Sequence, residues 1–494
     1  MNVRISQGAG TAVPDAVVTA LREVVSAKHV VVDDGVRTDA GQDFWPITLI
    51  WVHAGQQPAL PALVVRPQTS DQVARVLAIA NDARIPVTPF AGRSGVCGGS
   101  LPAAGGISLD VQGLKRIVEI NQHDLMVQVE AGVYGPKLEE ALQAHGLTVG
   151  HFPQSFEIST VGGWIACRGA GQYSNRYGKI EDMVLGLEVA LADGTLLRTN
   201  PQPASATGPD LKQLFIGAEG TLGVITSAWL QLWPRPAHSQ LAAYTFDRFA
   251  DTLEVQRLVL QRDASPAVLR SYDARDAELH FKKIGVEDGR SVLLAIAEGE
   301  PAEVERQIGI LNETVAGYGA AARSEDVALT ELWLKNRNDV SGLEVAIRRG
   351  LVVDTIEVGA PWSKLVGVYE AVRAAVGAVK GTLAVAAHAS HAYLSGGCLY
   401  FTFAGAPGDS LEAKDAFYNA AWDAAMAAVT AHGGTISHHH GIGLNRARFM
   451  PAELGAGMDV LRRMKAALDP HGILNPGKLG LGPATWPHGR DGGE

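Results

Sequence analysis

Two periods of apolar and polar residues alternate along this chain. From residue 57 to about residue 236, short apolar runs with strand character alternate with amphipathic stretches of helical period, a pattern that predicts an α/β or α+β domain. The first unit reads "PALVVRPQTSDQVARVLAIANDARIPVTPFAGRSG". Its apolar run predicts a strand over residues 62–66. Ser70 stands where a helix cap is expected, and Val73, Val76, Leu77 and Ala80 then share one helical face. A second strand is predicted over 86–90, followed by a glycine loop.

"WPRPAH" at 233–238 interrupts regular structure, because two prolines in four residues remove backbone donors. Beyond it the pattern shifts to Ala-rich helices such as "DAFYNAAWDAAMAAVTAHGG", separated by strands such as "SVLLAIAEG" and "GGCLYFTFAG". That alternation predicts a second sheet covered by helices. The late segment "MKAALDPHGILNPGKLG" reads as a helix ended by Pro and Gly turns. There is no internal repeat, and the terminal "GPATWPHGRDGGE" has the composition of a disordered tail.

Composition narrows the class. A length of 494 residues implies two or three domains, and 47% hydrophobic against 19% charged residues describes a well-packed globular protein. The 56 glycines favour an enzyme with many tight loops. A net charge of −10 excludes a general nucleic-acid binder and leaves small molecules or lipids as partners. Cys97, Cys167 and Cys398 form no CxxC pair, which fits a reducing compartment. The start of the chain lacks a charged region followed by an apolar one, and no apolar run reaches the roughly 18 residues of a spanning helix. The expectation is a soluble, cytoplasmic protein with at most peripheral membrane contact.

The glycine-dense loop "PFAGRSGVCGGSLPAAGGISLDV" (89–111) carries neither GK[ST] nor GxGxxG, so neither common nucleotide fingerprint applies. Consecutive backbone N–H groups in such a turn form an anion-binding concavity, although plain turns look the same in sequence. Two further stretches, 151–194 and 214–232, repeat the device of glycine turns opening onto apolar strands. Three such loops suit an extended dinucleotide; otherwise they only close hairpins.

"PFAGRSGVCGG", "PQSFEISTVGGW" (153–164), "YGKIEDMV" (177–184), "GAEGTLGVIT" (217–226) and "DPHGILNPGK" (469–478) occur in that order. Together they resemble the vanillyl-alcohol-oxidase/p-cresol-methylhydroxylase family. The resemblance implies an α+β fold: a two-subdomain FAD-binding domain over 57–236, a cap or substrate domain over 237–436, and a C-terminal segment (437–494) returning to the flavin domain. An N-terminal helical segment (1–56) would precede them. By the same resemblance Pro89, Gly92, Arg93, Ser94 and Gly95 would surround the pyrophosphate. Pro153, Ser155, Ser159, Thr160, Gly162 and Gly163 would line the flavin. Glu219, Gly220, Gly223 and Ile225 would meet the adenosine side, with Asn475 as a further contact. "GRSG" lacks the His that tethers flavin in covalent members, which implies noncovalent FAD, and the family often forms homodimers.

"GGTISHHHGIG" (433–443) carries three consecutive histidines. In an extended segment His438 and His440 would share one face, with His439 on the other, suiting a metal pair, a proton-transfer pair or structural imidazoles. Relatives resembling D-2-hydroxy-acid dehydrogenases hold a metal with His and Glu ligands. Here Tyr400 stands in place of one such His and His439 in place of the Glu, so no metal site is expected. Both residues instead match the alkyldihydroxyacetonephosphate synthase branch, through "CLYFTF" (398–403) and "SHHHGIG" (437–443). That likeness implies exchange of the acyl group of acyl-dihydroxyacetone phosphate for a fatty alcohol through a flavin N5 adduct, without net redox change. Tyr400, His439 and His440 would serve acid/base steps, with His438 structural. Arg270, in "PAVLRSYD" (266–273), and Arg348 would hold the phosphate. The bland readings are a core Tyr400, an Arg270 paired with Asp273 and a surface Arg348. Leu444 departs from the branch, which has a basic residue there. The alternatives are an FAD-dependent dehydrogenase or oxidase acting on a 2-hydroxy acid or alcohol, and a noncatalytic flavin- or lipid-binding protein.

Overall fold

The computed structural model describes residues 11–482. Residues 1–10, and all of the expected disordered tail except Gly482, lie outside the described residues. The N-terminal stretch folds as helices Asp15–Val25, Asp34–Ala40 and Pro46–His53, and it also contributes the strand Val30–Val31. That strand pairs antiparallel with Leu63–Val65 at the edge of a four-stranded sheet, completed by the parallel strands Ile107–Asp110 and Val87–Phe90.

The first βαβ unit forms as its pattern predicts. Thr69 rather than Ser70 is the cap, its hydroxyl accepting from the Gln72 N–H at 3.2 Å, and the helix runs Ser70–Asp82. Val73, Val76, Leu77 and Ala80 are buried together against this sheet. A second, antiparallel sheet has the order Ile117–Asn121, Met126–Glu130, Val224–Gln231, Val184–Ala190 and Leu196–Arg198. The two sheets form the α+β, two-part architecture expected of the flavin domain.

The remaining large sheet has seven antiparallel strands, ordered Ala322–Glu325, His238–Phe246, Ser291–Gly299, Val268–Tyr272, Thr382–Ala392, Gly396–Gly405 and Val352–Pro361. Helices Phe249–Gln261, Pro301–Ala316, Trp362–Gly377 and Leu411–Ala431 cover one of its faces. Burial alternates from Leu399 onward in strand Gly396–Gly405 as the pleat requires, whereas Ser291–Gly299 is buried on both faces. Ile356, Ala387, Leu399, Phe401 and Phe403 join the core beneath the helices, so the residues between them turn to the other face. Among the described residues no helix is long and apolar enough to cross a membrane.

Candidate active site

A single row of side chains crosses four strands of the large sheet. Tyr272 lies directly opposite His388, His388 opposite Tyr400, and Tyr400 opposite Glu357. Cross-strand partners point to the same face, here the face away from the covering helices. The His388 and Tyr400 rings stack, with centroids 4.5 Å apart and planes 11° from parallel. A bulge between Ala389 and His391 opposes His391 to Cys398, and so turns its imidazole to the same face as Tyr400. Without that extra residue His391 would point into the core.

The histidine run does not extend; it bends around a carboxylate. Glu357 accepts backbone N–H bonds from His438 and, at 2.8 Å, from His440, and it also accepts from the Ser437 hydroxyl at 3.1 Å. Because one buried carboxylate gathers alternate N–H groups, the three rings touch in succession instead of alternating faces. His438 Nδ1 lies 2.9 Å from His439 Nδ1, and the His439 and His440 centroids are 4.6 Å apart. His440 meets Tyr400 edge-on at 5.3 Å and His439 lies 6.1 Å from it. His438 is pinned by its Nε2 to the Tyr393 hydroxyl at 2.8 Å.

Electrostatics keep this cluster neutral. Burial lowers the pKa of His440 to about 4 and that of His438 to about 3, and it drives His439 well below 6.5. Burial likewise raises the Tyr400 phenol far above its ordinary value, so it stays protonated. Glu357 goes the other way. Burial favours its protonated form, but Arg446, His440 and His438 outweigh it and hold the carboxyl at about 2. Near neutrality the site therefore offers uncharged imidazoles and a phenol donor on a fixed carboxylate.

Nitrogens of His391, His438 and His439 lie within 4.8 Å of one another, close enough to hold a metal ion. Ser174 Oγ is 2.7 Å from His391 Nδ1. This trio differs from the His and Glu set considered in the sequence, since His438 takes part and Tyr400 does not.

Arg270 stands two residues before Tyr272 on the same face. Its Nε donates to the Tyr272 hydroxyl and its Nη2 to His388 Nε2, both at 2.7 Å. No carboxylate lies within ion-pair distance of it among the described residues. Asp273 is engaged elsewhere, with the Tyr369 hydroxyl at 3.0 Å and Arg373 at 3.7 Å, so the Arg270–Asp273 pair is absent. The guanidinium lies 5.8 Å from the Trp333 ring, and Arg337 lies 5.9 Å from the same ring. Arg348 is placed differently from the sequence expectation: its side chain is 65% exposed and pairs with Glu344 one helical turn away at 2.6 Å. Among the described residues no hydrogen bond or ion pair joins it to the histidine loop, Tyr400 or Arg270.

The glycine loops assemble into one cradle. Gly92 passes so close to the Ile158 carbonyl that a Cβ there would sit 2.1 Å from it, which joins the first loop to the 153–163 segment. In that segment Pro153 and Ser155 carbonyls close turns, Ser159 accepts from the Trp164 indole at 2.7 Å, and Thr160 caps Val161–Ala166. Gly162 donates to the Ala131 carbonyl at 2.8 Å and Gly163 meets the Thr160 hydroxyl at 3.4 Å. Gly220 lies against Pro89, Gly223 against Val189, and Ile225 is buried in strand Val224–Gln231. Asn475 ties two loops together, donating to the Gly99 and Glu219 carbonyls at 2.9 and 2.6 Å.

The backbone N–H groups of Gly92 through Cys97, including those of Arg93, Ser94 and Gly95, find no backbone acceptor among the described residues. Nearby Ser100 Oγ and Asn475 Oδ1 are buried without a hydrogen-bond partner. Gly95 is exposed and Gly92, Arg93, Ser94 and Val96 are half-buried, so these N–H groups stand open to an anion, and the loop suits a pyrophosphate. The Arg93 side chain is occupied by Asp39 at 2.6 Å, which leaves its backbone for that role. Glu219, expected at the adenosine side, uses both carboxylate oxygens on the histidine loop, accepting from Ile442 and Gly443 N–H at 2.5 and 2.7 Å. Burial raises its pKa to about 7, partly offset by those two bonds.

Sequence reasoning missed Glu357, His388, Arg337 and Asp276, which belong to no motif; the cross-strand row shows Glu357 and His388, and contacts with Trp333 and His388 show Arg337 and Asp276. It also missed His151, a buried imidazole with neither nitrogen hydrogen-bonded among the described residues.

Known proteins bear on this arrangement. Residues 61–200 match the FAD binding domain family, and residues 235–479 match the C-terminal domain of FAD linked oxidases. The uncharacterized FAD-linked oxidoreductase YgcU of Escherichia coli (strain K12) is 32% identical over 94% of this chain and 98% of its own length. Alkyldihydroxyacetonephosphate synthase of Trypanosoma brucei brucei is 30% identical, covering 87% of this chain and 75% of that protein. Glycolate oxidase subunit GlcD of Bacillus subtilis (strain 168) is 29% identical over 86% and 90%. A solved alkyldihydroxyacetonephosphate synthase superposes with TM-score 0.80 at 24% identity, covering 95% of this chain and 87% of that one. p-Cresol methylhydroxylase superposes at 0.74 with 18% identity over 95% and 97%, so the fold is shared. The ordered domain matches and the relative spanned almost end to end show that this protein belongs to the FAD-linked oxidase family and takes FAD as its cofactor.

Proposed function

We propose that the protein exchanges the acyl group of acyl-dihydroxyacetone phosphate for a fatty alcohol, a step of ether-lipid synthesis, on noncovalently held FAD. The observation that carries this reading is Arg270, a guanidinium with no carboxylate partner that stands beside a phenol and neutral imidazoles. A substrate phosphate would supply the missing negative charge by paired N–H contacts. The synthase relative supports the reading, as does Tyr400 in place of a metal-binding His.

In the exchange the C1–O ester bond breaks and the fatty carboxylate leaves. The alcohol oxygen takes its place on C1 and releases one proton, so no electrons are gained or lost overall. Bound and reduced, the flavin would supply a nucleophilic ring nitrogen for this exchange. Tyr400, protonated throughout, donates a hydrogen bond to the substrate carbonyl oxygen. His440 and His439, uncharged near neutrality, take and return the protons of C1 and of the alcohol. Arg270 anchors the phosphate, and Arg337 is the better second cation than Arg348 because it shares the Trp333 ring with Arg270. The test is incubation of reduced holoprotein with palmitoyl-dihydroxyacetone phosphate and hexadecanol. Palmitate and the alkyl ether should appear in equal amounts; neither appearing would remove the proposal.

One observation favours a second reading, an FAD-dependent oxidoreductase acting on a 2-hydroxy acid or alcohol. The His391, His438 and His439 nitrogens converge as metal ligands do, and a glycolate oxidase subunit is among the relatives. Arg270 would then hold the carboxylate and His440 would accept the hydroxyl proton.

A further inference from the structure

We propose that Asp276 and His388 are a positioning pair that fixes Arg270 as the anion clamp of this site; the inference rests on the reading of Arg270 given above. The hydrogen bonds define the tautomer. A guanidinium can only donate, so His388 Nε2, 2.7 Å from Arg270 Nη2, must carry a lone pair. The ring proton therefore sits on Nδ1, which donates to Asp276 Oδ2 at 2.8 Å. Asp276 is itself buried and accepts at its other oxygen from the exposed His280 at 3.3 Å.

Each partner fixes the next. Asp273 Oδ1 accepts the Asp276 N–H at 2.8 Å and sets the start of helix Ala274–Phe281. Asp276 on that helix holds the His388 ring, stacked against Tyr400, in one tautomer and orientation. His388 and the Tyr272 hydroxyl then engage Nη2 and Nε of Arg270, leaving Nη1 without a hydrogen-bond partner among the described residues. A neutral, lone-pair-bearing imidazole steadies the cation without cancelling its charge, as a carboxylate would. This explains why the buried acid is placed one ring away from the arginine.

The test uses holoprotein titrated with inorganic phosphate, read by the flavin difference spectrum, for wild type and for R270L, H388L, H388Q, D276A and D276A/H388Q. Gln places an amide oxygen near the position of Nε2 and keeps the acceptor, whereas Leu removes it. H388L should weaken phosphate binding about tenfold, the cost of a lost hydrogen bond to a charged group, while H388Q stays within about threefold. D276A should weaken binding in the wild-type background and add nothing on top of H388Q, because Asp276 acts only through His388. In turnover, H388L should raise KM for the phosphorylated substrate with kcat little changed. Thermal unfolding and the visible spectrum report folding, and if D276A fails to fold the H388L and H388Q comparison decides. Equal binding by wild type and R270L, or by neither, removes both Arg270 as clamp and the pair. Loss in R270L with unchanged binding in H388L, or equal loss in H388Q and H388L, removes the positioning pair alone.

Discussion

Glu357 and Arg446 form a 2.8 Å ion pair with both side chains fully buried, directly behind the bend of the histidine loop. The carboxylate that neutralises Arg446 is also the one that gathers the His438 and His440 N–H groups. Stability and site geometry therefore depend on one side chain.

Glu357→Gln should leave Arg446 buried and uncompensated, at a cost of about 3–5 kcal/mol. The change should appear as a lower urea midpoint in chemical unfolding, and the loop should become susceptible to limited proteolysis. An unchanged midpoint would mean that the pair contributes nothing net.

Acid should unfold the protein through the same loop. His440 titrates near 6.5 when unfolded and near 4 when folded, so between those values the unfolded state binds more protons and stability falls as pH falls. The loss should be roughly 3 kcal/mol from pH 7 to pH 4. Glu357, held at about 2, adds a further loss below its unfolded value near 4.5. In His440→Asn that slope should become shallower by one proton's share, with the buried His438 and His439 still contributing; a slope unchanged from wild type in urea unfolding would contradict the assignment.

Tyr400→Phe should bind FAD with an unaltered visible spectrum and lose turnover on the order of 100-fold, the loss of one positioned proton donor. Steady-state kinetics check it. Retained turnover would return Tyr400 to a purely stacking role against His388.

The two remaining cations should separate cleanly. Arg337→Leu should raise KM for a phosphorylated substrate about tenfold, whereas Arg348→Ala, on an exposed helix paired with Glu344, should stay within about twofold. An effect of Arg337→Leu also within twofold would place both outside the site.

Exchange chemistry also needs no metal. Dialysis against a chelator should leave ether formation unchanged, and elemental analysis should find no stoichiometric divalent ion despite the convergence of His391, His438 and His439. Loss of activity that returns with added metal would favour the oxidoreductase.

Periodicity made the elements legible: the helix from Ser70, strand Ser291–Gly299 and strand Gly396–Gly405 follow directly from the apolar pattern. Motif likeness made Tyr400, Arg270 and the triple histidine legible. What escaped depends on partners distant in sequence. His388 and His391 are three apart, so strict alternation would put them on opposite faces; the bulge after Ala389 brings both to one. The bend of the histidine run is imposed by Glu357, about eighty residues earlier, and no local signal encodes it. The sequence makes Arg348 a candidate and not Arg337, because charge alone does not say which arginine stands beside Trp333.

The most direct measurement is an anaerobic visible spectrum of the holoprotein, titrated in parallel with D-lactate, glycolate and palmitoyl-dihydroxyacetone phosphate. Acyl exchange predicts no bleaching of oxidised flavin by either hydroxy acid, and palmitate release from the acyl substrate once the flavin is reduced. Bleaching by a hydroxy acid, with no palmitate released, would contradict it.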